Sequence, residues 1–342
     1  MTSVVKSYSL LYLGLVLTFL LNSCKSEVNY QFTQVKGNAQ GTTFNIVYDD
    51  KNETDYSISI DSLFQVIDQS MSLWDSTSTI SLLNKSTEGR DVDSHFKTVY
   101  NLSRKISAKT YGSFDITMGP LIKSWGFIRK NGLPVPSQEE IDQKLAYVGI
   151  GNFQLEGNYL RKKIPQAEID MNAVAQGYSV DVVADFLNKK KIANYLIEIG
   201  GEIRTKGINQ FGEAWKVGIE KPDFNAGFSK NSIKAVLGIS DLSLATSGSY
   251  RKFIEVDGKK YSHTIDPKTG KPVTHNLLSV TVIAPDCGSA DAFATSFMVL
   301  GQDSALAIAK REKLEIYCIY DDQGELKSTF TPGFEKLMLQ EN

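Results

Sequence analysis

The sequence predicts an α+β fold, with mainly antiparallel sheets and packed helices. Three observations carry this reading. Strand patterns follow one another in runs, the clearest two are joined by a hairpin signal, and helical periodicity is confined to a few segments. A doubly wound fold would alternate strand and helix regularly, and this chain does not.

Each element has its own local cause. Thr42-Thr-Phe-Asn-Ile-Val-Tyr48 alternates and predicts a strand, stopped by Asp49-Asp-Lys-Asn52. Between Asp55 and Ser72 the apolar residues Ile60, Leu63, Phe64, Ile67 and Met71 recur at helical spacing. Phe96 to Lys109 predicts a second helix, and Ser137 to Val148 a third, where Ser137 and Glu140 form a capping-box pattern. Asp170 to Lys190 is the longest helical pattern, with Val174, Tyr178, Val182, Phe186 and Leu187 as its apolar stripe. Strands follow at Tyr195–Ile199, Trp215–Ile219 and Ile233–Ile239. Phe253–Val256 and Lys259–His263 flank Asp257-Gly258, a dipeptide that suits a type I′ hairpin turn. Leu278–Ile283 predicts a strand running into a helix that spans Ser289-Ala-Asp-Ala-Phe-Ala-Thr-Ser296, with Ser289 as N-cap and Gly301 as the stop. Leu314–Tyr320 reads as a buried strand. Trp125 and Trp215 read as packing residues, and Gly200-Gly201 as a tight strand exit.

The first residues read as a leader. Lys6 precedes an uncharged apolar run from Leu10 to Leu21, followed by Asn22-Ser-Cys24. The run is shorter than the roughly 20 residues a spanning helix needs. Leu21-Asn-Ser-Cys24 resembles a bacterial lipobox, which implies a signal peptide over residues 1–23, a lipidated Cys24 and attachment to a bacterial membrane facing the periplasm. Residues 24–36 are polar and read as a tether, and 37–340 as the folded domain. With 37 Lys and Arg against 39 Asp and Glu there is no basic bias, so nucleic acid is not an expected partner. Of three cysteines, Cys287 and Cys318 remain beyond the leader. So sparse a pair is no disulfide framework; they are either joined or buried as free thiols. Without CxxC, and with three His, a zinc or haem site is not expected.

Five segments combine Gly or small residues with side-chain oxygens: Gln40-Gly-Thr-Thr43, Gly112-Ser-Phe-Asp-Ile-Thr-Met-Gly-Pro120, Asp170-Met-Asn-Ala-Val-Ala-Gln-Gly-Tyr178, Ala245-Thr-Ser-Gly-Ser249 and the Asp291 helix. Asp291 and Thr295 stand four apart, on one helical face. A carboxylate and a hydroxyl suit Mg²⁺ and a phosphorylated substrate better than zinc. A plainer account stands beside this: Asp in a first turn favours the macrodipole, and a helical Thr bonds its own i−4 carbonyl. His263 shares one face of its strand with Tyr261 and Ile265, so it is either a partly buried structural residue or a general base beside a Mg²⁺–phosphate site. His95 and His275 read as surface residues.

Six motifs occur in order: Gly112-Ser-Phe-Asp-Ile-Thr, Ile169-Asp-Met-Asn-Ala-Val-Ala-Gln-Gly-Tyr, Ile199-Gly-Gly-Glu-Ile-Arg, Ala245-Thr-Ser-Gly, Ser262-His-Thr-Ile-Asp-Pro-Lys-Thr-Gly-Lys-Pro and Ala290-Asp-Ala-Phe-Ala-Thr. Together they resemble the ApbE family of bacterial flavin transferases, over about Gly37 to Gly301. The resemblance implies the family's architecture, related to the T-fold. It also implies binding of FAD and Mg²⁺, and transfer of the FMN half of FAD to a Thr or Ser hydroxyl of a target protein, with release of AMP. By position it implies Mg²⁺ ligation by Asp291, Thr295 and the Ala173 carbonyl, and flavin-nucleotide contacts from Gln40, Trp74, Ser113, Phe114, Asp115, Asp170, Gln176 and Ile265. His263 falls where the family has a His proposed to activate the target hydroxyl. The implied acceptors are flavoprotein subunits of membrane redox complexes, of the Na⁺-translocating NADH:quinone reductase or Rnf type. Gln176 stands where Lys or Glu is usual, Ser113 where Ala is commoner, and Ser249 where Asp is frequent. FAD pyrophosphatase activity, giving FMN and AMP, and non-catalytic flavin binding are the alternatives the residues leave open.

Overall fold

A computed structural model describes residues 30–126, 135–222, 233–249, 253–256 and 259–341. The leader and Cys24 lie outside the described residues, as does the Asp257-Gly258 turn. Among the described residues no helix is long and apolar enough to cross a membrane.

The chain opens with β1 (Phe32–Ala39) and β2 (Thr42–Asp49), followed by α1 (Ser57–Met71) and α2 (Thr79–Lys85). Then come β3 (Gly89–Asp91), α3 (Ser94–Lys109), α4 (Gly119–Ser124), α5 (Gln138–Leu145), β4 (Phe153–Glu156) and β5 (Tyr159–Lys162). α6 (Ala175–Lys189) leads to β6 (Tyr195–Ile199), β7 (Glu202–Lys206), β8 (Trp215–Glu220), β9 (Ile233–Ile239), β10 (Ser243–Gly248), β11 (Phe253–Val256), β12 (Lys259–Ser262) and β13 (Leu277–Ala284). The chain continues through α7 (Cys287–Leu300), α8 (Gln302–Glu312), β14 (Glu315–Asp322), β15 (Glu325–Phe330), α9 (Pro332–Glu335) and β16 (Met338–Glu341).

Eight strands form the main sheet in the order β1-β2-β6-β7-β10-β13-β14-β15, and every pairing in it is antiparallel. Alternation decides what each face covers. Val280 and Val282 of β13 face Phe293 and Phe297 of α7, whereas Ile283 faces the small β16-β9-β8 sheet with Leu244, Tyr317 and Ile319. At the other end of the sheet, Phe44, Ile46, Tyr195 and Ile197 pack under Val180, Val183 and Leu187 of α6 and Ile60 and Phe64 of α1. The α+β expectation is met: helices cover one face of an antiparallel sheet, and the small sheet covers part of the other.

Several expected boundaries move. The pattern from Asp170 becomes helical only at Ala175, because the Gly177 N–H that would close a turn onto the Ala173 carbonyl goes to Asp291 Oδ2 (3.2 Å) and Val174 is extended in φ at −156°. The third helix ends at Leu145, although its capping box forms as predicted, with Ser137 Oγ accepting from Glu140 N and Glu140 Oε2 accepting from Ser137 N. β12 ends at Ser262, whose Oγ accepts the Thr264 N–H, so the expected strand stops short of His263. Trp125 and Trp215 are buried, as are Cys287 and Cys318, which are free thiols.

α6 and α7 cross at Gly177. A Cβ there would lie 2.4 Å from the Cys287 carbonyl oxygen and 2.9 Å from Cβ of Asp291. Gly177→Ala would gain helix propensity of about 1 kcal/mol, but it drives a methyl into backbone. We expect a net loss of about 1–3 kcal/mol in urea unfolding, the range for overpacking. An unchanged unfolding midpoint would contradict so close a crossing.

Candidate active site

α7 starts two residues before Ser289. Asp286 is its N-cap, accepting the Ser289 N–H at 2.8 Å, so Ser289 is not the cap. Asp291 therefore sits in the second turn, beyond the reach of a first-turn dipole effect. Its side chain is buried, and Oδ2 accepts the Gly177 N–H at 3.2 Å. Among the described residues no Lys or Arg pairs with it. Burial pushes its carboxyl up to about 7, against the opposing pull of the Gly177 N–H. Thr295, one turn on, is half-buried, and its Oγ1 lies 3.2 Å from Ser247 Oγ on β10. The plainer account of Thr295, a bond to its own i−4 carbonyl, gives way to this helix-to-strand contact.

Ala173 precedes α6. The Gly177 N–H that could have closed a turn onto its carbonyl goes to Asp291 instead. Among the described residues no hydrogen bond reaches the Ala173 carbonyl oxygen. A buried carboxylate, a hydroxyl and an available carbonyl form an all-oxygen donor set that fits a hard divalent cation. The buried, unpaired charge is the part of that set a cation would relieve.

Beside Gly177, Gln176 lines a cleft of about 370 Å³ together with Gln40, Met71, Trp74 and Asn172. Gln40 sits in the β1–β2 turn, and its Nε2 donates to Ser179 Oγ at 2.9 Å. Trp74 is 77% exposed on the rim. Gln176 Nε2 donates to the Ile199 carbonyl (2.9 Å) and to Glu202 Oε2. Three of the expected nucleotide contacts, Gln40, Trp74 and Gln176, thus share one cavity.

The other expected residues lie around it rather than in its lining. Ser113 is buried; its Oγ donates to the Thr110 carbonyl (2.8 Å) and meets Ser296 Oγ at 2.7 Å. Phe114 is a core residue. Asp115 accepts from Thr117 N (2.8 Å), Thr117 Oγ1 (2.6 Å) and Ile150 N (3.1 Å), and burial raises its carboxyl pKa. These side chains are engaged internally, which leaves the backbone as the means by which Gly112–Pro120 could touch a ligand. Asp170 is buried, with Oδ1 accepting from Asn172 N at 2.9 Å; desolvation raises its pKa. Ile265 is buried with Met118, Leu121, Trp125 and Ile141, and bridges to Pro272. His263 is half-buried just beyond β12 and is not among the residues lining the cleft. His95, expected at the surface, is half-buried with Nδ1 2.8 Å from Tyr178 Oη, whereas His275 is exposed as expected.

The motifs nevertheless form one neighbourhood. Asp170 N bonds Ile116 O, Ser113 meets Ser296 beside Thr295, and Ile265 packs on Met118. Sequence reasoning assigned no role to Glu202, Ser247 or Asp181. The first two stand inside quoted motifs, directly after Gly200-Gly201 and Ala245-Thr, and that position was the available signal. Asp181 gave none: it reads as an ordinary helical Asp. In the fold it accepts the N–H groups of Cys287 (2.9 Å) and Gly288 (2.8 Å) and pairs with Arg204, fixing the start of α7. Burial pushes its carboxyl up to about 6, outweighing those partners.

Asp181 and Asp291 make the stability of the fold depend on pH. Both folded-state pKa values are raised, so the folded chain holds more protons than the unfolded chain between about pH 4 and 7. Their contribution to stability is present below that window and lost as pH rises through it, by a few kcal/mol in total. With EDTA present, the melting temperature should fall from pH 5 to 7.5, and Mg²⁺ at pH 7.5 should restore part of it. A melting temperature rising across this window in EDTA would contradict the assignment.

The ApbE family model matches residues 40–319. The chain is 35% identical to a protein of Vibrio cholerae named FAD:protein FMN transferase, over 93% of this chain and 96% of that one. A solved flavin transferase ApbE from Vibrio cholerae superposes with a TM-score of 0.81 at 35% identity, covering 90% of this chain and 99% of the other. The Pseudomonas stutzeri flavinyl transferase ApbE, in its apo form, gives 0.82 at 28% identity, covering 91% and 98%.

Proposed function

The chain belongs to the ApbE family, and from that premise we propose that it is an FAD:protein FMN transferase, moving the FMN moiety of FAD onto a Thr or Ser hydroxyl of a target protein and releasing AMP. The observation that carries the reading is the buried, unpaired Asp291 carboxylate bonded to Gly177, one residue along α6 from the cleft-lining Gln176.

Asp291, Thr295 and the Ala173 carbonyl would hold Mg²⁺, which when bound neutralises pyrophosphate charge and favours AMP as leaving group. Gln40, Trp74 and Gln176 bind the nucleotide in the cleft, with Asp170, Ser113, Phe114, Asp115 and Ile265 shaping its surroundings. His263 takes the proton from the acceptor hydroxyl. The hydroxyl oxygen then bonds to the FMN phosphorus, and the bond from that phosphorus to the bridging pyrophosphate oxygen breaks, forming a phosphodiester. The enzyme is exported and lipid-anchored through Cys24 to a bacterial membrane, facing the periplasm, where its targets are flavoprotein subunits of membrane redox complexes. The leader pattern and Cys24 support that location.

Chromatography of AMP tests the reaction. With FAD, Mg²⁺ and a Thr-containing acceptor peptide, AMP should appear in step with peptide flavinylation and stop when peptide is exhausted. AMP release at the same rate without peptide, accompanied by free FMN, would establish the pyrophosphatase instead.

A further inference from the structure

An amide has two N–H hydrogens and one carbonyl oxygen. Both Gln176 hydrogens are taken: Nε2 donates to the Ile199 carbonyl at 2.9 Å and to Glu202 Oε2. The reverse orientation would set the amide oxygen against a carbonyl and a carboxylate, so the network itself fixes which way the amide lies. Ile199 and Glu202 are the paired residues that close the two-residue turn Gly200-Gly201 between β6 and β7. Gly200 adopts φ +61°, and a Cβ there would lie 1.9 Å from Gln176 Nε2. The turn is thus cut to receive this amide, and Gln176 retains only its oxygen for the cleft it lines.

We propose that Glu202 is a positioning residue: it locks the Gln176 amide so that the cleft presents a hydrogen-bond acceptor, which reads an amine, imide N–H or hydroxyl of the flavin nucleotide rather than its phosphates. This rests on the FAD-binding reading given above. Burial, and after it the Asp291 charge nearby, raises the Glu202 pKa, so Glu202 also has a neighbour in the metal-binding set. The test therefore separates amide positioning from metal chemistry by measuring FAD binding in EDTA.

FAD titrations of the full chain should show Glu202→Ala weakened about 10- to 100-fold, the scale for leaving a buried donor without its partner. Glu202→Gln keeps an acceptor oxygen and should stay within about threefold of the parent. Gln176→Ala should weaken binding, and adding Glu202→Ala to it should weaken it no further, because the two act as one unit. In turnover with Mg²⁺, Glu202→Ala should raise KM for FAD far more than it lowers kcat. Inorganic pyrophosphate should compete equally well with FAD in the parent and in Gln176→Ala. Should Glu202→Ala fail to fold, Glu202→Leu, which fills the site without an acceptor oxygen, gives the same comparison alone and combined with Gln176→Ala. Parent-like binding by Glu202→Ala, a Glu202→Gln as weak as Glu202→Ala, additive losses or unequal pyrophosphate competition would each overturn the proposal while leaving the transferase reading intact. Failure of the parent chain to bind FAD with Mg²⁺ present would overturn both.

Discussion

Asp291→Ala should abolish divalent-cation-dependent turnover, a fall of at least about 10³-fold, while the cation-free protein melts no lower than the parent. The two halves of this expectation come from one fact: the carboxylate is buried, accepts a single N–H from Gly177, and has no cationic partner among the described residues. Removing such a group relieves a desolvation cost that offsets the Gly177 N–H bond lost with it, and so does not harm the apo fold. It also removes the only charge in the all-oxygen donor set, without which a hard cation has little to hold it. Differential scanning calorimetry and Mn²⁺ titration calorimetry read the two effects separately. Full turnover in the variant, or a melting temperature several degrees lower in EDTA, would place Asp291 in the packing rather than at a metal.

His263→Asn should leave FAD affinity within about threefold and slow FMN transfer by about 10²–10⁴-fold, the usual contribution of a positioned general base. His263 is half-buried where β12 has ended and the segment turns into the buried Thr264 and Ile265. Ile265 is clamped against Met118, Leu121 and Trp125, and Trp125 Nε1 donates to the Gly270 carbonyl at 2.8 Å, so the backbone that carries His263 is tied to the Gly112–Pro120 segment. Asn preserves polarity and approximate size but cannot accept a proton near neutral pH. Single-turnover transfer to an acceptor peptide, with FAD binding measured in parallel, separates chemistry from binding. An unchanged single-turnover rate would return His263 to a structural role.

What the sequence made legible was whatever depends on local order. Alternation gave the antiparallel strands, and Ser137 with Glu140 gave a capping box that forms with both bonds. Gly301 marked the end of α7 and adopts φ +78°. What it could not give were outcomes decided by distant partners. The helical spacing from Val174 runs smoothly back toward Asp170, yet Asp291 takes the Gly177 amide from the Ala173 carbonyl and the helix starts only at Ala175. Asp286 and Ser289 are both good caps three residues apart, and α7 is buried on nearly every side, so no apolar stripe told them apart. Ser113 and Asp115 carried oxygens that looked available to a ligand but serve Ser296, Thr117 and Ile150. Glu202 reaches Gln176 across 26 positions of sequence, a pairing that exists only once the β6–β7 turn is folded beneath α6.

In the proposed reaction a protein hydroxyl, not water, receives the FMN group. Tandem mass spectrometry of a Thr-containing acceptor peptide, after incubation with the full chain, FAD and Mg²⁺, tests it most directly. The expected product is a peptide heavier by FMN less one water, with the addition on a Thr or Ser side chain and one AMP per modified peptide. An unmodified peptide beside accumulating free FMN would contradict it.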